Sequence, residues 1–154
     1  MDTVLDVMLS PVTSADKEAW FGLWGQYLEF YKADIPAFVS ESSWQRLLDP
    51  QEPVGCIMAR LGPRAIGFAN YVQHRSTWTV GDYLYLEDLF VDPSVRGQGV
   101  GRRLIGSLYD LAERAGCSRV YWHTHETNAT AMLLYNRIGC RSGFVHYQNQ
   151  LKAG

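Results

Sequence analysis

At 154 residues, 47% hydrophobic and 19% charged with a formal net charge of −2, the chain has the composition of a single globular domain, residues 1–154, large enough to bury a substantial core. Balanced charge argues against a nucleic-acid partner, and no apolar run approaches membrane-spanning length. The start, Met1-Asp2-Thr3-Val4-Leu5-Asp6, is acidic where a signal peptide is basic, so we expect a cytoplasmic protein without a membrane partner. Cys56, Cys117 and Cys140 are odd in number and widely spaced, which points to buried reduced thiols rather than a disulfide framework or a zinc site.

Residues 4–9 alternate weakly and are expected to form a first strand. From Ser14-Ala15-Asp16-Lys17, a cap and first turn, the apolar residues Trp20, Leu23, Trp24, Tyr27, Leu28 and Tyr31 recur at helical spacing. The aromatic residues crowded into this half of the chain serve as core or as a pocket wall, and Tyr27 and Tyr31 are candidates to touch a substrate. Ala33-Asp34-Ile35-Pro36 is expected as a loop, and a second helix is expected over 40–48, with Ser42 or Ser43 near its start and Asp49-Pro50 ending it. Three β-rich runs follow, 54–61, 65–73 and 83–91, the first two joined by Gly62-Pro63-Arg64, and we expect them to pair antiparallel in sequence order.

The third run empties into Asp92-Pro93-Ser94-Val95-Arg96-Gly97-Gln98-Gly99-Val100-Gly101-Arg102-Arg103, a glycine-rich turn that opens an amphipathic helix. Glycines let the backbone approach an anion closely, and the first N–H groups of a helix lack intrahelical acceptors and sit at the positive end of its dipole. A pyrophosphate over residues 96–102 is the expected ligand. The turn lacks the Gly-Lys-Ser/Thr ending of a P-loop and lies two-thirds of the way along the chain, where a Rossmann fingerprint is out of place. The helix carries Val100, Leu104, Leu108, Leu111 and Ala115 on one stripe and stops at Gly116. A strand over 120–124, a helix from Thr127 or Asn128 to about Ile138 ended by Gly139, and a last strand over 144–150 complete the order βααβββαβαβ, a mixed sheet with helices on both faces.

Two further segments carry chemistry. Glu87 and Asp88 interrupt an otherwise apolar strand, and a carboxylate in such a strand needs a partner or a wet cleft. A cleft that receives a cationic amine is one reading; an alternating strand with one carboxylate in solvent and one paired with an arginine is the other. Asn128, Ala131 and Tyr135 fall at i, i+3 and i+7 and share a helix face, which amphipathic packing alone also explains. His123 and His125 would face one side of a strand, but no thiol or carboxylate stands at ligand spacing, and no metal is expected.

Arg96-x-x-Gly99-x-Gly101 after a strand ending Leu89-Phe90-Val91-Asp92-Pro93 resembles the acetyl-CoA signature of the GNAT family of N-acetyltransferases, and Asn128, Ala131, Tyr135 and Gly139 repeat its spacing on a later helix. The resemblance covers residues 83–147 well and the first eighty weakly. Residues 120–135 look most like the yeast histone and D-amino-acid N-acetyltransferase branch, and 85–91 like the polyamine N-acetyltransferases.

That resemblance implies the GNAT α/β fold and acetyl-CoA as cosubstrate. It implies that Arg96, Gly97, Gln98, Gly99, Val100, Gly101 and Arg102 hold the pyrophosphate, and that Leu89, Phe90, Val91 and Asn128 bind the pantetheine arm. A bulge near Glu87 would turn a backbone N–H toward the thioester oxygen, with Glu87 the general base acting through water and Tyr135 the acid for the leaving thiolate. Asp88 would bind the acceptor, a small polyamine or amino-acid-like amine. Acylation of a protein lysine or histone tail, and a non-catalytic CoA-binding regulatory module, are the alternatives. Many relatives dimerise, and the aromatic-rich surface is compatible with a homodimer.

Overall fold

The computed structural model describes residues 6–152, which fall into two compact units, one ending at His123 and the other beginning at Thr124. The first unit holds a five-stranded sheet in the order β1 (Val7–Pro11), β2 (Val54–Leu61), β3 (Arg64–His74), β4 (Tyr83–Val91), β5 (Arg119–Trp122). The first four strands pair antiparallel and β5 joins β4 in parallel, so the sheet is mixed. Parallel neighbours require a crossover, which is α3 (Val100–Arg114).

Helices cover both faces. α1 (Lys17–Phe30) stacks Trp20 against Trp24 at 5.1 Å between ring centroids and sets both on Phe68 of β3, while α2 (Ala37–Leu48) adds Trp44 at 5.5 Å from Trp20. Gly67, the neighbour of Phe68, points the other way, toward Leu104 of α3. The indoles crowding the sequence are therefore mainly core: Trp20 and Trp44 are fully buried, with Met58, Phe68 and Phe90 in the same cluster. Their polar edges are satisfied, Trp20 Nε1 donating to Asn70 Oδ1 at 3.3 Å and Trp24 Nε1 to Ser40 Oγ at 2.9 Å.

Several boundaries differ from expectation. Residues 4 and 5 of the expected first strand lie outside the described residues, and β1 runs on to Pro11. α2 begins at Ala37, because Pro36 occupies the cap with its fixed φ and hands the chain straight into the helix. On α3 the buried stripe is Val100, Leu104, Ile105, Leu108 and Ala112; Ala115, expected on it, is an exposed cap. Gly116 holds the expected position with φ +74, and the Cys117 N–H bonds Ala112 O at 2.8 Å, closing a Schellman turn. β5 ends at Trp122, so His123 and His125 are not on a strand. His123 Nδ1 lies 3.0 Å from the Tyr85 hydroxyl and His125 bonds Thr127. Of the thiols only Cys56 is buried; Cys117 is half-buried and Cys140 exposed.

The second unit contains α4 (Ala129–Ile138), with Asn128 at its cap and Gly139 ending it as expected. The strand expected over 144–150 is not formed. Its alternating residues need a partner strand to satisfy their backbone groups, and Phe144, Val145 and Tyr147 are solvent-exposed.

Candidate active site

The site is built around a fault in β4. Asp88 pairs with Asn70 of β3, but Leu86 pairs with Tyr71, so Glu87 is an extra residue without a partner: a β-bulge. Pairing with β5 covers only Tyr83–Leu86 and stops at this bulge. Beyond it, β4 is bonded on its β3 side alone. The Asp92 N–H bonds Ile66 O at 2.7 Å, which fixes the phase of the antiparallel ladder. Phe90 then exchanges bonds with Phe68, while Leu89 and Val91 turn their N–H and C=O groups to the open edge. Val91 O is taken there by Arg96 Nε at 3.1 Å; the Leu89 N–H and C=O and the Val91 N–H face the gap.

The glycine turn stands at the end of that edge. Gly97 and Gly99 have φ +76 and +83, where a side chain is strained, and a Cβ on either would meet no protein atom within 4 Å. No acceptor in the described residues engages the N–H groups of residues 97–102; the first α3 bond of this turn runs from Arg103 N to Gly99 O, 3.1 Å. A rim of unpaired N–H groups around open space at a helix N-terminus fits a pyrophosphate. The adjoining strand edge fits the amide-rich pantetheine arm as an added strand. Arg96 is folded back, its guanidinium 5.3 Å from the Phe30 ring and 5.7 Å from that of Phe90, so it clamps the turn to the strand. Gln98 and Arg102 are exposed, and Val100 is buried as the first core residue of α3.

Glu87 and Asp88, adjacent in sequence, have different surroundings. The Asp88 carboxylate accepts from Asn70 Nδ2 at 3.1 Å and lies beside the Tyr27 hydroxyl; burial raises its pKa, and these two donors hold the rise in check. Glu87 is exposed, with its pKa raised first by partial burial and then by the charge of Asp88. A carboxylate lifted toward neutrality while facing a wet cleft is suited to general-base work. Burial and the Glu87 charge also push the neighbouring Tyr85 hydroxyl up to about 12. Among the described residues neither carboxylate is paired with an arginine, the partner that the alternating-strand reading calls for.

A cavity of about 140 Å³ opens on both carboxylates, walled by Trp20 and Trp24 of α1 and closed on the far side by α2. Tyr27 is core, packed on Trp24, Phe68 and Phe90, and reaches the site through its hydroxyl alone; Tyr31 is exposed, its ring tilted by 52° against that of Tyr27, and does not line the cavity. In the second unit, Asn128 donates to Thr124 Oγ1 at 3.2 Å, and Tyr135 lies on α4, half-buried. Asn70, which ties Asp88 to Trp20, is not among the site residues expected from the sequence. Its signal was a lone amide in the buried run Ile66-Gly67-Phe68-Ala69-Asn70.

A strand edge opened by a bulge beside an anion cradle has, in an α/β protein, the form that suits an extended, amide-rich ligand carrying a pyrophosphate. Residues 11–140 match the acetyltransferase (GNAT) family, and the chain belongs to that family of acetyl-CoA-dependent N-acetyltransferases. It is 34% identical over 145 residues to the D-amino-acid N-acetyltransferase of Saccharomyces cerevisiae, covering 92% of this chain and 89% of that one. It is also 38% identical over 80 residues to the thialysine N-epsilon-acetyltransferase of Bos taurus, a match spanning 52% of this chain and 46% of the relative. An aminoglycoside N-acetyltransferase solved with CoA shares the fold at a TM-score of 0.81 and 20% identity, over 96% of this chain and 95% of that one. Among the described residues no helix is long and apolar enough to cross a membrane, and no cluster of three His, Cys, Asp or Glu could hold a metal.

Proposed function

We propose that the chain, as one catalytic domain, transfers acetyl from acetyl-CoA to the primary amine of a small molecule by direct attack in a ternary complex. The bulge at Glu87 carries this reading: one irregularity both opens the β4 edge to the cofactor and delivers a raised carboxylate beside that opening. Acetyl-CoA supplies an activated thioester carbonyl. The N–H groups of residues 97–102 hold its pyrophosphate, with Gln98 and Arg102 at the rim, and the outward Leu89 C=O and Val91 N–H pair with its pantetheine arm, Asn128 adding an amide contact; Phe90, expected to join them, is bonded to Phe68 instead. Glu87, through water, takes the proton of the acceptor ammonium, and Asp88 keeps negative charge near that nitrogen. The outward Leu89 N–H donates to the oxygen on which charge builds. Tyr135 is the acid for the departing thiolate, on the strength of the Asn128-x-x-Ala131-x-x-x-Tyr135 spacing.

The relatives, a D-amino-acid and a thialysine N-acetyltransferase, support small amines over protein acceptors. The test is CoA release from acetyl-CoA across a panel of amino acids, polyamines and aminoglycosides. Glu87→Gln should lower kcat about a hundredfold or more. Tyr135→Phe should lower kcat with CoA affinity unchanged by calorimetry; equal loss of rate and affinity would remove Tyr135 from the chemistry.

A further inference from the structure

The cavity above Glu87 and Asp88 carries charge of both signs. Its far side is α2, which contributes Ser43 and Arg46 from successive turns. Of the polar groups facing the cavity, Asn70 is committed to Trp20 and Asp88, Asp88 to Asn70, and the Tyr71 hydroxyl lies against Gly55. Arg46 is different. Among the described residues its guanidinium makes no ion pair and no hydrogen bond, and it is not within ion-pair reach of Glu87 across the cavity. Glu87 likewise has no ion-pair or hydrogen-bond partner in the described residues. Arg46 and Glu87, both solvent-exposed, therefore line one cavity as a cation and an anion without partners among the described residues, too far apart to neutralise each other.

We propose that Arg46, with the Ser43 hydroxyl beside it, receives a carboxylate of the acceptor, so that the cleft selects amines that also carry an acid group, as amino acids do, over polyamines. This rests on the reading of Glu87 and Asp88 as the amine pole. The dimensions agree: a cavity of about 140 Å³ admits the ammonium, α-carbon and carboxylate of an amino acid, with the side chain left to the open mouth. A guanidinium presents a planar fork that matches a carboxylate at two points, which the ammonium of a lysine does not. A polyamine would place a second cation against Arg46 instead, with no anion on α2 facing the cavity to offset it.

The experiment compares matched acceptors, lysine with cadaverine and phenylalanine with phenethylamine, both enantiomers of each acid, in the wild-type chain and in Arg46→Gln and Arg46→Lys. The reading is the ratio of kcat/KM for the acid-bearing acceptor to that for its carboxylate-free partner. Arg46→Gln should lower that ratio about tenfold to a hundredfold, chiefly through KM, and Arg46→Lys should restore part of it. Calorimetry of the acid in the presence of CoA should show the same loss of affinity, independent of turnover. If Arg46 merely completes the α2 C-terminus, rates and melting temperature shift together for both acceptors, the ratio stays within twofold, and the proposal fails. A wild-type chain that acetylates polyamines in preference to every acid overturns it too. No turnover of any amine, with CoA still bound, overturns the amine-pole reading and this inference with it.

Discussion

Replacing Asn70 by leucine probes the one polar link between the aromatic core and the site. Asn70 is buried, accepts from the fully buried Trp20 indole and donates to Asp88. Leucine fills a similar volume but leaves an indole N–H without an acceptor, costing about 1–3 kcal/mol, and removes a charge-assisted bond worth about 1.5–3 kcal/mol. At pH 8 the variant should be about 3–5 kcal/mol less stable, a fall of roughly 10 °C in Tm for a chain of this size. The loss should also depend on pH. The Asp88 pKa is already raised above its ordinary 3.8, with burial raising it and the Asn70 bond lowering it. A carboxyl whose folded pKa is raised contributes stability that is full below the unfolded value and disappears as pH rises through the folded one. Removing Asn70 lifts the folded pKa further, so the gap between variant and wild type widens from pH 4 to pH 8. Urea denaturation at both values measures this; a gap equal at the two would refute the role assigned to Asn70 in holding Asp88 ionised.

Gly99→Ala places a Cβ at φ +83 with no protein atom near it, so its stability cost is backbone strain of about 1–2 kcal/mol, whereas CoA affinity should fall at least tenfold. Calorimetry showing affinity within twofold of wild type would remove the cradle assignment. Asp16→Asn breaks a carboxylate held by both Arg60 Nη atoms at 2.8 Å and by the Thr13 N–H, and should cost about 2–3 kcal/mol at pH 7. The Asp16 pKa is lowered chiefly by Arg60, so this contribution is present above the ordinary 3.8 and lost as pH falls through the folded value. Melting curves of variant and wild type should converge in acid, and parallel curves down to pH 3 would contradict the pairing.

Local patterns in the sequence determined the glycine turn and what it implies, since φ above zero, unpaired helix-start N–H groups and the helix dipole are properties of a few consecutive residues. Helical spacing likewise marked α1, α3 and α4, and Gly116 marked the end of α3. The oddity of two adjacent carboxylates in an apolar strand was also legible, though not what each would do. That division came from register: the bulge gives Asp88 a partner across the strand in Asn70 and leaves Glu87 in the cleft, and register is a relation between β3 and β4 that neither strand contains alone. Cavity walls are the same kind of fact. Nothing in the sequence singles out Arg46, which stands in the last turn of α2, while Tyr31 reads as a pocket aromatic. Only the packing of α1 and α2 on the sheet brings Arg46 to the cavity and leaves Tyr31 off its walls, because which residues share a space depends on how distant segments stack, and no local pattern encodes that.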